Sequence, residues 1–268
     1  MGRNLIYTIA LDPEGTTGHR NLAKMLVSSL LRTRFCGDIM VFHNSPAPLF
    51  MVHRAGVEEV RIDTPVAEIG NGAFAALAQS AKHRVARQID HSRYDKIMFM
   101  DCDTIAIRNV DTLLQGEWDV AVFAEPGRGI DEECYGAYLT PDEAVRLKRE
   151  GLNSGTWAVA ASHFPDLIGK WREVEAKPPE VDGWFREQSA FNRVLLDWTG
   201  AVHHWSPSSI ALPLCNHNHA TYRGYTRATI VHAAGPDGVN YKLQFLFSAY
   251  SGAFLFDSQL ALLNILEM

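Results

Sequence analysis

The sequence has little cysteine: four residues in 268, at Cys36, Cys102, Cys134 and Cys215. They are scattered, with no C-x-x-C pair, so neither a disulfide framework nor a cysteine zinc site is expected, and a reducing compartment such as the cytoplasm is the simpler setting. Long apolar runs are missing too. No stretch approaches about 18 uninterrupted apolar residues, so no transmembrane helix is expected and any membrane contact would be peripheral. The apolar run in MGRNLIYTIALDPEG stops at Asp12, too soon for a secretory signal, and Ile6 stands where N-myristoylation requires Ser or Thr. Positive charge is in deficit: 25 Lys+Arg face 31 Asp+Glu, a formal net charge of −6. A phosphate backbone needs a basic stripe, so nucleic acid is not an expected partner. At face value the same acidity disfavours any anionic substrate.

What is present is the composition of a folded protein, 47% hydrophobic and 21% charged, which excludes disorder, collagen and coiled coil and provides for one large core. Short apolar runs predict strands at Asn4–Leu11, Asp38–His43, Val57–Ile62, Lys96–Met100, Trp118–Ala124, Thr156–Ala161, Ala201–Trp205, Ile210–Leu214 and Thr229–His232. Helical periodicity predicts helices at Asn21–Arg34, Ala73–Ile89, Pro141–Glu150, Pro165–Ala176 and Trp184–Trp198, with a helical segment over residues 240–268. Alternation of the two implies an α/β fold with a mostly parallel sheet, and no linker or repeat divides residues 1–268, so a single catalytic domain is expected.

KIMFMDCDTI is the most informative segment. Asp101 and Asp103 follow a strand apolar on both faces, and side chains at i and i+2 of an extended chain point the same way. Two carboxylates converging at the carboxyl end of a central strand, where ligands bind in open α/β sheets, repel each other unless a cation sits between them. A dehalogenase-type phosphatase also begins with D-x-D, but it wants Thr or Val where this chain has Ile105, and it places the motif near the N-terminus. Farther on, LNSGTWAV reads as a tight Asn153-Ser154-Gly155 turn ahead of a strand. On the helix over Trp184–Trp198, Gln188 shares a face with Trp184, Phe191, Leu195 and Trp198, and Glu187 flanks that face. His232 ends another strand, where it could join the two Asp residues, and imidazole beside carboxylates favours Mn²⁺ over Mg²⁺. Gly235 and Lys242 follow it.

Taken in order, these residues resemble the metal-dependent glycosyltransferases of the glycosyltransferase-A fold, and family 8 of glycogenin and the lipopolysaccharide galactosyltransferases in particular. The resemblance runs from the first strand to about Lys242. It implies a single Rossmann-like domain that moves a sugar from a nucleotide-diphosphate donor, UDP-linked in the family, to a hydroxyl of a glycan, lipid or protein acceptor, with retention. It implies Mn²⁺, or Mg²⁺, on Asp101, Asp103 and His232. It places Lys82 or Arg84, Lys242 and Gly235 at donor phosphates or sugar, Thr8, Ala10 and Asp12 at the nucleoside, and Cys102 beside the donor within the D-x-D. It places Asn153, Ser154, Gly155, Glu187 and Gln188 at the donor sugar, with Gln188 near the anomeric carbon. For an inverting reaction, Glu187 or Asp182 would be the base. The chain departs from the family in having Glu-Gln for Asp-Gln, a longer His-to-Lys spacing, and no Pro-Trp after the Lys.

Two other function classes compete. A nucleotidyltransferase would carry a Gly-rich loop with Arg after the first strand, which PEGTTGHR at residues 13–20 echoes only faintly. A non-catalytic nucleotide-sugar binder would not need the intact Asp–Asp–His set. Cys215, His217 and His219 in CNHNHAT suggest a polar loop at the acceptor cleft more than a second metal site, because four zinc-spaced ligands are missing.

Overall fold

The computed structural model describes residues 3–13, 15–51, 55–63, 80–180, 185–212, 228–234 and 239–253. Its strands are β1 (Asn4–Ala10), β2 (Asp38–His43), β3 (Val57–Arg61), β4 (Lys96–Met100), β5 (Thr104–Ala106), β6 (Val120–Gly129), β7 (Glu150–Ala160), β8 (Val202–His204), β9 (Ile210–Ala211) and β10 (Ile230–His232). Its helices are α1 (Gly18–Arg32), α2 (residues 80–85), α3 (Glu133–Gly136), α4 (Pro141–Leu147), α5 (Phe164–Glu175), α6 (Arg186–Leu196) and α7 (Val239–Ala253). Seven strands form a central sheet in the order β3-β2-β1-β4-β7-β6-β8, and a small sheet has the order β5-β10-β9. This is the mixed α/β architecture expected. Parallel pairing joins β1 to β2, β2 to β3 and β6 to β8, whereas β6 and β7 are antiparallel.

The chain divides into two compact units. One comprises Met1–Asn4, Glu68–Phe99 and Gly116–Pro207, the other Leu5–Ala67, Met100–Gln115 and Ser208–Met268. In the first, Trp157, Trp171 and Phe191 are fully buried and pack with ring centroids 4.7–5.9 Å apart. α6 forms because its apolar residues recur at helical spacing, and Phe191, Val194 and Leu195 are buried along it. α4 starts on a capping box in which Thr140 and Glu143 satisfy each other's backbone N–H groups, with Pro141 in the first turn. It stops at Leu147, short of the expected Glu150, because Lys148 turns into the left-handed region at φ 40°. In the second unit, α1 buries Leu22, Met25, Leu26 and Leu30 as its periodicity requires. Ser29 lies on the same buried face, where its hydroxyl donates to Leu26 O and accepts from Ala106 N, so a polar group inside is paired at both functions.

Two expectations are corrected. Asn153-Ser154-Gly155 is not a turn ahead of a strand but part of β7, at a break in register: Val122 pairs with Trp157 and the next residue, Phe123, pairs with Asn153. Ser154, Gly155 and Thr156 therefore bulge from the ladder, which re-aims side chains that a regular strand would alternate. Glu187 does not flank the buried face of α6 but is itself buried, more so than Gln188. Of the helix expected over Ala73–Ile89, residues 80–85 are helical and residues 73–79 lie outside the described residues, as do Gly235, Asp182, Trp184, the CNHNHAT segment and residues 254–268.

Candidate functional site

β4 delivers Asp101 and Asp103 directly from its carboxyl end, as its apolar run foretells. The missing partner arrives through a pairing too short to see in sequence. The three residues of β5 run antiparallel to β10, with His232 opposite Thr104, and Ala233 N donates to Asp103 O over 2.9 Å. That register sets the imidazole beside the carboxylates. His232 Nε2 lies 3.2 Å from Asp103 Oδ1 and 3.8 Å from Asp101 Oδ2, and the three prospective ligand atoms all lie within 4.8 Å of one another. The Lys242 ammonium, from α7, meets Asp103 Oδ2 at 2.6 Å.

The donor set fits a divalent cation. Asp103 Oδ1 is buried and, apart from the His232 ring nitrogen 3.2 Å away, has no hydrogen-bond partner among the described residues, which leaves an anionic oxygen free to face a cation. Burial pushes the Asp103 carboxyl up, but the Lys242 ammonium and the His232 ring outweigh it and hold the group well below the usual carboxylate range. Lys242 is the mirror case: burial lowers its pKa, and Asp103 more than restores it. Both contacts thus favour the anionic form of Asp103, the form a metal ligand needs. Cys102, between the two acids, is buried, and burial together with the two carboxylates pushes its thiol well up, so it stays protonated. Thr8 and Ala10 are fully buried in β1, and the Thr8 hydroxyl has no hydrogen-bond partner among the described residues. The Asp12 carboxylate accepts from His19 N at 2.7 Å and from Arg20 N and Nε at 3.1 and 3.0 Å.

The other expected residues meet in the first unit. The Lys82 ammonium pairs with Glu187 Oε1 at 2.8 Å, and Ser154 Oγ donates to the same oxygen at 2.7 Å. Gln188 is engaged at both ends of its amide: Oε1 accepts from Ser154 N and Nε2 donates to Cys134 O. Gly155 N donates to Asn153 Oδ1. Of the two basic candidates on the α2 segment, Lys82 points inward and Arg84 is exposed. Trp171 ties this network to the aromatic core by donating its indole N–H to Glu187 O over 2.8 Å.

Sequence reasoning missed Glu125. On β6 it is buried, accepts from the Tyr135 hydroxyl, and accepts from Asn153 Nδ2 at 3.3 Å. Burial, then the Glu125 contact, pushes the Tyr135 hydroxyl far above its ordinary pKa. A lone Glu before a Pro at a strand end carries no sequence signal. A second missed pair, His83 with Glu175, is joined by Ser80 Oγ donating to Glu175.

No family profile and no curated protein sequence matches the chain. Among solved structures, the apo form of the bifunctional glycosyltransferase WbbM is similar, with a TM-score of 0.60 at 13% identity, over 98% of this chain. The chain spans about half that structure, 52% of its length. The fold is thus that of a glycosyltransferase structure. No helix among the described residues is long and apolar enough to cross a membrane.

Proposed function

We propose that the chain is a metal-dependent glycosyltransferase that takes a sugar from a nucleotide-diphosphate donor, UDP-linked by family resemblance, and passes it to a hydroxyl with retention. The observation that carries this reading is the convergence of Asp101, Asp103 and His232 at a strand end, in a fold shared with a glycosyltransferase. These three residues would hold Mn²⁺ or Mg²⁺, and the bound ion would supply Lewis acidity toward the leaving diphosphate. The chain's own residues do the rest. Lys242 keeps Asp103 ionised and provides fixed positive charge for a phosphate. Lys82 and Ser154 hold Glu187 in place, which favours retention: a carboxylate anchored by an ammonium and a hydroxyl is a poor general base. Asn153, Ser154 and Gln188 are assigned to the donor sugar by resemblance, and Thr8, Ala10, Asp12, Cys102, Gly155 and Gly235 to the rest of the donor. The single-domain reading, the family 8 assignment and a cytoplasmic site of action belong to this proposal as well.

Thermal shift against UDP, GDP, UDP-sugars and UTP, with and without Mn²⁺, tests it. A nucleotide diphosphate at a hundred times its Kd should add about 2.7 kcal/mol of stability, and only when Mn²⁺ is present. Asp103→Ala should remove that shift and lower donor turnover by roughly 10²–10³-fold, the scale of losing a transition-state charge contact. A variant with full metal-dependent activity would overturn the metal assignment. Preference for UTP would instead favour the nucleotidyltransferase reading.

A further inference from the structure

A second place in the molecule has the chemistry of a binding site. In the first unit, at the end of the antiparallel β6–β7 pair, lies a cavity of about 460 Å³ lined by Gly127, Arg128, Asp131, Lys148, Arg149 and Glu150. Three cations around one cavity are conspicuous in a chain of net charge −6. Their partners differ. Arg128 is neutralised by Glu132 at 2.6 Å. Neither Lys148 nor Arg149 has an ion pair among the described residues. Asp131 is likewise without a side-chain hydrogen bond or ion pair among the described residues. Opposite charges thus face the same cavity and have not closed on one another.

Gly127 has φ 77°, and the N–H groups of Gly127 and Gly129 already take the carboxylates of Glu150 and Glu132 at 3.2 and 2.9 Å. Lys148 sits in the left-handed region too, at φ 40°, which fixes where its side chain leaves the chain.

We propose that this cavity binds an anionic saccharide, with Lys148 and Arg149 on its phosphate or carboxylate and Asp131 and Glu150 accepting from its hydroxyls. A bare anion would gain the two cations but also face two carboxylates, and a neutral sugar would leave both cations unpaired. A ligand with an anion at one end and hydroxyl donors at the other satisfies both halves. The choice of a sugar as the hydroxyl-bearing scaffold rests partly on the transferase reading. The site itself needs neither metal nor nucleotide.

The test is therefore run on the whole chain in EDTA, without nucleotide, so that it succeeds or fails separately from donor turnover. Glucose 6-phosphate, glucuronate, glucose and inorganic phosphate are titrated by calorimetry, and amide shifts of Gly127 and Gly129 are followed by NMR. Both anionic sugars should bind, shift those amides and weaken with added NaCl. Arg149→Gln and Lys148→Asn, at exposed positions with Asn suited to the left-handed backbone, should each weaken binding about tenfold. Equal binding of inorganic phosphate or of glucose would overturn the saccharide assignment. Unchanged affinity in both variants, or no binding by any of the four probes, would overturn the site.

Discussion

At Asp12 one carboxylate closes the first turn of α1 by accepting two backbone N–H groups and the Arg20 side chain. Such a cap is worth about 1–2 kcal/mol, so Asp12→Ala should lower unfolding stability by that amount in urea. Burial raises the Asp12 pKa, but its contacts with His19 and Arg20 win and leave it below the ordinary carboxylate value. A depressed folded-state pKa stabilises above the unfolded value, about 3.9, and that contribution fades as pH falls through the folded value. The difference between wild type and Asp12→Ala should thus be flat above about pH 5 and shrink on acidification below about pH 4. The Lys82–Glu187 pair, with side chains 9% and 2% exposed, is a more severe case. Lys82→Met strands a buried carboxylate and should cost about 3–5 kcal/mol. Adding Glu187→Gln should restore much of the loss, as a double-mutant cycle in urea would show. The D-x-D pair was legible in the sequence because it follows directly on the apolar run of β4, although the structure brings the two acids together through the turn between β4 and β5 and not along an extended strand. The depth of Glu187 was not, because it depends on a lysine far away in the chain.

Elements were legible where apolar periodicity was long and unbroken. β2 and β4 begin and end where the apolar runs do, and α1, α5 and α6 lie within a few residues of expectation. The failures have physical causes. β5 is three residues long and gains its strand character only from β10, so nothing local marks it. The Asn-Ser-Gly segment has turn composition yet lies in β7, because antiparallel pairing with β6 tolerates a bulge there. β7 also shows how closely its backbone meets α3. A Cβ built on Gly151 would run into the Tyr135 ring, the ring whose hydroxyl holds Glu125. Gly151→Ala should therefore cost about 1–3 kcal/mol by overpacking, seen as a lower denaturation midpoint with unchanged m-value.

For the whole molecule, the net charge of −6 stops being an argument against anionic ligands once its distribution is known. Two of the acids sit on a potential cation site, and Lys148 and Arg149 line one cavity without an ion pair among the described residues. The division into units has a further consequence through the β5–β10 pairing. Asp103 and Lys242 are 139 residues apart in sequence, and the unit that holds them is assembled from three separate lengths of chain. Contacts so distant must await loop closure and form slowly. The proposed metal site therefore cannot assemble until residues beyond Ser208 have been synthesised and returned to β5. During refolding, Mn²⁺ protection should follow the slowest phase and be absent from any earlier burst. In the cell, capture of the proposed ion would have to wait for the segment that carries His232 and Lys242: a nascent protein still lacking it would carry its two aspartates without yet competing for the ion.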